Sequence, residues 1–310
     1  MMAGERACAN ISLMNEPRRE VERVERPSPR AFYERYVKLN RPVILTGLAD
    51  KWRATARWTP AYFRAHFADA PVMFTAWESN APTNDPTDYY ANRKRLGTLL
   101  GTFIDLMESG ADFSRNYITQ FPIFRVLPQL AADIESPDSY MNIPRYYPAS
   151  LRRRLRKEPA LWFGPAHTVT PVHFDSAHNL LAQIHGRKKV LLLPPAQSRC
   201  LYYPCLRLGH VNYSPVDVEA PDFDRFPLFK QATPLEVLLE PGEILFIPVR
   251  WWHFVRAFEP TISLNFWWFS ADSLRRMWHP YLTYKRSRLV ERLKRRRLPL
   301  LSRFGSERRH

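Results

Sequence analysis

Two short stretches of this chain hold side chains suited to metal chemistry: Thr170-Pro171-Val172-His173-Phe174-Asp175 and Pro248-Val249-Arg250-Trp251-Trp252-His253. Together they supply two imidazoles and one carboxylate. That is a ligand set for a mononuclear non-haem Fe(II) centre with open coordination positions, the kind that activates dioxygen. Side chains in a strand alternate faces with a period of two, so His173 and Asp175 should share a face. The same alternation runs on through Asn179, Leu181 and Gln183. His253 follows a strand signal of its own, a Pro241-Gly242 turn and then the apolar run Ile244-Leu245-Phe246-Ile247. A turn at Glu259-Pro260 would join strands over residues 254–257 and 261–267. It would also set Asn265 opposite His253, about 5 Å away. A His-x-Asp triplet alone is a weak signal, and the bland reading of His173 is a hydrogen-bonded histidine in a barrel wall. The distant second histidine, with both motifs on strands, raises the metal reading above it.

The stretch 161–270 resembles the JmjC or cupin-like family of Fe(II)- and 2-oxoglutarate-dependent oxygenases. Within it the likeness is closest to the asparaginyl hydroxylase that inhibits hypoxia-inducible factor and to the JmjC-only arginyl hydroxylases. The resemblance is carried by the two motifs above and by Asn179-Leu180-Leu181-Ala182-Gln183-Ile184-His185-Gly186-Arg187-Lys188, Pro194-Pro195, the run 216–227, Pro241 to Pro248, and Asn265-Phe266-Trp267. It implies a mainly β fold with surrounding helices, built on a double-stranded β-helix (jelly-roll) core. It implies a dioxygenase that couples 2-oxoglutarate decarboxylation to hydroxylation of a protein or peptide side chain. By position, His173, Asp175 and His253 match the iron ligands and Lys188 the lysine that pairs with the distal carboxylate of 2-oxoglutarate. Thr170 matches a hydroxyl on the same carboxylate, Asn179 and Asn265 match polar pocket residues, and Tyr117 matches an upstream tyrosine that reaches the cosubstrate. Taken alone, Lys188 reads as an exposed strand cation and Tyr117 as a core tyrosine. Trp251, Trp252, Trp267 and Trp268 are candidates for dry cavity walls, with core packing an equal reading.

The elements that must position these groups are legible upstream. Residues 29–39 read as a helix, 43–46 as a strand closed by Gly47, and 72–77 as a strand. Thr59-Pro60 reads as a helix start, and residues 98–109 as a helix ending at Gly110. Residues 80–95 and 134–148 read as loops over the pocket mouth. The expected organisation is a loose N-terminus at 1–26, an oxygenase domain at 27–270 and a basic helical tail at 271–310.

The chain has 310 residues, 45% of them hydrophobic, enough for one large core or two smaller domains, and its 28 prolines suggest many loops and strand ends. No apolar run is long enough for a membrane span, and no secretory signal precedes the first helix. Three cysteines are too few for a disulfide framework, so a cytoplasmic location is expected, or a nuclear one in a eukaryote. Cys200, Cys205 and His210 offer only three zinc donors at an unfamiliar spacing, which disfavours a zinc site.

The net charge of +16 is uneven. From Ala271 onward thirteen Lys or Arg stand against three acids, and a second cluster lies at Arg152-Arg153-Arg154-Leu155-Arg156-Lys157. A solvated face, contact with RNA, ribosome or an acidic partner, and a membrane surface all remain open. The resemblance to the asparaginyl hydroxylase, whose helices after the barrel make a dimer, implies a homodimer contact at Leu274, Met277, Trp278, Tyr281 and Leu282, although the basic run would repel its twin unless splayed. Two alternatives to a protein hydroxylase stay open: an RNA-modifying oxygenase, and a non-catalytic cupin that binds a polyanion or protein. A histone demethylase ranks lower, since no zinc-finger spacing accompanies the motifs.

Overall fold

A computed structural model describes residues 20–77, 92–109, 113–203, 212–273 and 275–276. Thirteen strands run through them: β1 (Arg23–Glu25), β2 (Val43–Thr46), β3 (Pro71–Trp77), β4 (Arg93–Leu99), β5 (Asn116–Phe121), β6 (Ala160–Gly164), β7 (Val169–Phe174), β8 (His178–His185), β9 (Lys188–Leu193), β10 (Leu235–Leu239), β11 (Ile244–Ile247), β12 (Trp252–Ala257) and β13 (Thr261–Trp268). Strands β6 to β13 form the jelly roll, four in each sheet. One sheet contains β11-β8-β13-β6 and the other β10-β9-β12-β7. Apart from β9 and β10, which pair with each other, chain neighbours thus alternate between sheets, and spatial neighbours are mostly distant in sequence.

The first of these sheets does not stop at four strands. β2 and β1 extend it on the β11 side, and β5, β3 and β4 on the β6 side, giving nine strands among the described residues. The N-terminal half is therefore strand as well as helix. Residues 20–26 fall in the stretch expected to be loose, yet β1 pairs in parallel with β2 and Val21 is buried.

Among the described residues six bounded α-helices accompany the strands: α1 (Pro29–Phe32), α2 (Arg53–Arg57), α3 (Pro60–Phe67), α4 (Leu100–Glu108), α5 (Ile123–Val126) and α6 (Ala149–Leu155), and residues 271–273 and 275–276, at the start of the expected tail, are helical too. α1 continues as a π-helical turn to Val37, so the helix expected over 29–39 is present but changes winding. α3 starts where Thr59 accepts a hydrogen bond from the Tyr62 amide at 3.0 Å, with Pro60 at the first position. α4 begins two residues later than expected, because Thr98 and Leu99 belong to β4. The loop expected over 80–95 in part becomes β4, and residues 78–91 lie outside the described residues.

Burial explains the sheet asymmetry. Every residue of β13 is buried, as a strand covered on both faces requires. Its Ile262, Leu264, Phe266 and Trp268 face the main core with Trp58, Phe63 and Phe103. The outer face of the smaller sheet is covered differently. There Val172, Phe174, Trp252 and Phe254 pack under Leu201, Val216, Phe226 and Phe229 of the long β9–β10 connection. Between the sheets, Leu181, Val190, Leu192, Val237 and Leu245 form an apolar plug. β8 passes to β9 at Gly186, whose φ is +67° and where a Cβ would lie 2.2 Å from the Pro260 carbonyl oxygen.

Candidate metal and cosubstrate site

The two motif histidines meet directly. β12 lies between β7 and β9, and His253 is the cross-strand partner of His173. Their ring centroids are 4.2 Å apart. Asp175 sits just past the end of β7, with Oδ1 4.0 Å from His173 Nε2 and Oδ2 3.9 Å from His253 Nε2. One ligand atom from each residue lies within 4.8 Å of the others.

The hydrogen bonds behind the three side chains aim them. His173 Nδ1 is 2.9 Å from the Pro171 carbonyl oxygen, and His253 Nδ1 is 3.1 Å from that of Trp251. A carbonyl only accepts, so each Nδ1 carries a proton, which leaves each Nε2 as the nitrogen turned to the centre. Burial, and then the neighbouring His253, push the His173 pKa below the usual imidazole range, which favours the neutral form that binds metal. Trp267 Nε1 donates to Asp175 Oδ2 at 2.8 Å and holds that carboxylate.

Thr170 reaches the same cavity through an irregularity. It lies three positions before His173, so strict alternation would put the two on opposite faces. On β12, His253 and Val255 are two apart, yet they pair with His173 and Thr170. β7 therefore carries one extra residue, a bulge at Pro171-Val172 opposite Phe254. Proline suits this place because it has no amide hydrogen to lose from the ladder.

The cavity between the sheets also exposes Tyr117, Asn179, Lys188 and Asn265. Lys188, far from being an exposed strand cation, is 2% accessible. Its Nζ donates to Tyr117 Oη at 2.9 Å and to Ser263 Oγ at 2.7 Å. No carboxylate pairs with it among the described residues, and burial lowers its pKa to about 7. Asn265 Nδ2 donates to Asn179 Oδ1 at 3.2 Å. All eight residues singled out from the sequence thus line one cavity.

Two expectations about how they would do so fail. Asn265 is not the cross-strand partner of His253: β12 and β13 belong to different sheets, and Asn265 pairs with Leu181 and Ala160. The connection at Glu259-Pro260 carries the chain from one sheet to the other, and the two residues meet across the sandwich. Likewise the alternation from His173 to Gln183 is broken between β7 and β8. Asn179 and Leu181 face the cavity from the opposite sheet, while Gln183 donates to the backbone oxygens of His185 and Gly186. Of the four tryptophans offered as walls, Trp267 lines the cavity, while Trp251, Trp252 and Trp268 sit in three separate apolar clusters.

Sequence reasoning missed Ser263, Trp162 and Gln120. Ser263 lies two residues before Asn265 on a strand, and that spacing was the available signal. Trp162 Nε1 and Asn265 Oδ1 are buried at the cavity without a hydrogen-bond partner. Gln120 has a left-handed backbone, φ +49°, at an irregularity in β5, and no periodicity announces it.

These residues fit the group the site's chemistry suggests. Two imidazoles and one carboxylate on one side leave the opposite side open, as a facial Fe(II) triad requires. A buried lysine without an acid and two orphaned polar atoms suit an anionic, oxygen-rich small molecule beside the metal.

A jelly roll with this triad between its sheets is the architecture of a cupin-type metal protein. The chain belongs to the cupin-like family: residues 29–273 match the cupin-like domain. Lysine-specific demethylase 8 of Xenopus tropicalis is 35% identical over 246 residues, 78% of this chain and 51% of that protein. JmjC domain-containing protein D of Dictyostelium discoideum is 30% identical over 261 residues, 79% of this chain and 55% of that protein. The human bifunctional peptidase and (3S)-lysyl hydroxylase JMJD7 is 26% identical over 264 residues, 78% of this chain and 81% of that protein. This chain thus spans about half the length of the first two. These relatives support the JmjC resemblance, a family of Fe(II)- and 2-oxoglutarate-dependent oxygenases.

No helix among the described residues is long and apolar enough to cross a membrane. Cys205 and His210, and residues 277–310 with most of the basic tail and of the dimer contact, lie outside the described residues.

Proposed function

We propose that this chain is an Fe(II)- and 2-oxoglutarate-dependent dioxygenase that hydroxylates a protein or peptide side chain, with residues 27–270 as the oxygenase domain. The observation that carries the reading is Lys188, a buried cation without an acid partner that shares one cavity with two inward-facing imidazoles and a carboxylate. A binding module has no use for that combination, since a desolvated ammonium costs stability unless something anionic meets it.

His173, Asp175 and His253 would hold the metal from one side. When bound, Fe(II) with 2-oxoglutarate and O2 supplies the oxidising chemistry that turns a C–H bond into C–OH. The protein supplies position. Lys188, steadied by Tyr117 and Ser263, receives the distal carboxylate of the cosubstrate, and Thr170 adds a hydroxyl donor beside it. Asn179 and Asn265 offer amide groups from the opposite sheet, and Trp267 keeps Asp175 turned to the centre. The apolar plug behind the cavity excludes water from its inner end.

Relatives named as demethylases and as a lysyl hydroxylase share this arrangement's family, and both names describe oxidation of a protein side chain. The hydroxylase reading is preferred here because it asks nothing of the site beyond the C–H oxidation common to both. RNA contact and a homodimer are secondary proposals that rest on the basic, partly apolar tail.

Anaerobic addition of Fe(II) and 2-oxoglutarate to the purified protein tests the site without knowledge of the substrate. The expected outcome is a visible metal-to-ligand charge-transfer band in the wild type and none in Asp175→Ala. Absence of the band from a folded, metal-loaded wild type would defeat the proposal.

A further inference from the structure

The basic cluster at 152–157 is left unexplained by the site chemistry. It lies on α6 and the residues after it, and it faces a groove of about 820 Å³. Arg145, Arg152, Arg153, Arg156 and Lys157 line this groove, against Asp138 and Glu158. Both acids are already committed, Asp138 to Arg156 and Glu158 to Arg125. Arg145, Arg152 and Arg153 have no acid partner among the described residues. α6 buries none of its seven residues, so packing does not explain why it stands there.

The groove adjoins an opening at the candidate site. Lys157 and Glu158 line both it and a second opening that also exposes Asp175 and Trp267. The Lys157 amide donates to the Trp267 carbonyl oxygen at 2.9 Å. The Lys157 ammonium lies 5.8 Å from the Trp267 ring centroid, over the same tryptophan that holds Asp175. A chain lying in the groove would pass Lys157, beside the tryptophan that holds Asp175. The floor includes Met141 and Ile143, so the groove is mixed in character, with a cationic rim above an apolar base.

We infer that this groove binds an acidic segment of the protein substrate and delivers the neighbouring residue to the metal. The inference rests on the reading of the chain as a protein hydroxylase and names the substrate class for it. Uncompensated arginines beside a reaction site attract negative charge and repel a cationic segment. Exposed Arg95 also lines another opening, beside His173 and Thr170. Substrate recognition here therefore differs from what a lysine- or arginine-rich segment would need.

The test uses the full chain and three fluorescent probes of equal length: a peptide alternating Glu and Ser, one alternating Lys and Ser, and a single-stranded oligouridylate. Fluorescence anisotropy is measured for the wild type and for the double variant Arg152→Glu/Arg153→Glu, with the anaerobic Fe(II)–2-oxoglutarate band recorded on each. The expected result is binding of the Glu-Ser peptide over the Lys-Ser peptide, weakened by roughly tenfold or more in the variant, with the band unchanged. Glu-Ser binding that survives the double substitution overturns the inference. So does preferential loss of the oligouridylate, which would make the groove a nucleic-acid site. A missing band in both proteins would instead defeat the oxygenase reading, leaving the binding result to stand by itself.

Discussion

The two sheets of the jelly roll meet the cavity with different kinds of residue. The four-stranded sheet contributes the groups that carry charge or lone pairs: His173 and Thr170 from β7, His253 from β12, and Lys188 from β9. The sheet extended to nine strands contributes groups that hold others in place. Ser263 accepts from Lys188, Trp267 donates to Asp175, and Asn265 donates to Asn179. Irregularity is shared between them: the smaller sheet carries the bulge at Pro171-Val172, and the larger one shifts register between Ile262 and Ser263 and between Ile118 and Phe121. The division between the walls is thus one of chemistry, with reactive groups on one and supporting groups on the other.

If that division is right, removing a reactive group should cost far more than removing its support. Lys188→Met should weaken 2-oxoglutarate binding by about 10- to 100-fold, the worth of a charge-assisted hydrogen bond, while Fe(II) binding stays near wild type. Calorimetry with each ligand checks this, and equal losses for both would mean that Lys188 is structural. Trp267→Phe removes only an N–H from Asp175 and keeps the ring. Metal affinity should fall by about tenfold, the lower end for an outer-shell partner, with cosubstrate affinity for the metal-loaded protein little changed.

The pH dependence sharpens the same point. Burial brings the Lys188 pKa down to about 7 in the free protein, and a carboxylate seated on it needs the protonated form. Below pH 7 the lysine is already charged and its contribution is constant. As pH rises above 7 binding must take up a proton, so affinity should fall by up to about tenfold per unit. Titration by calorimetry should show this slope in the wild type and lose it in Lys188→Met. The smallest effect belongs to Ser263→Ala, which removes one neutral partner of Lys188. About a three- to tenfold loss of 2-oxoglutarate affinity is expected, and a loss as large as that of Lys188→Met would erase the distinction between the walls.

Much of this was legible beforehand, for reasons that vary by residue. His173, Asp175 and His253 could be picked out because metal ligands must be a few residue types on strands. Lys188 could be named only through the family resemblance, since its local sequence, Arg187-Lys188-Lys189, reads as solvent-facing charge. Asn265 was rightly assigned to the pocket by a mistaken route, because hairpin geometry assumes that consecutive strands pair and a jelly roll sends them to opposite sheets. Thr170 contradicts simple alternation, and nothing local reveals the bulge that brings it round. Ser263 and Trp162 are ordinary strand residues until Lys188 and the cavity appear beside them.

The sequence by itself determined the chemistry available: two imidazoles, a carboxylate, a lysine, the strand-forming runs that carry them, and the uneven positive charge. These are properties of residue type and short-range spacing, which a chain carries whether folded or not. Tertiary structure alone decided which sheet each strand joined, that β7 would gain a residue against β12, and that Arg152 and Arg153 would border a groove sharing Lys157 and Glu158 with an opening at Asp175. Those outcomes depend on pairing between segments far apart in the chain, where burial of whole faces outweighs any local preference.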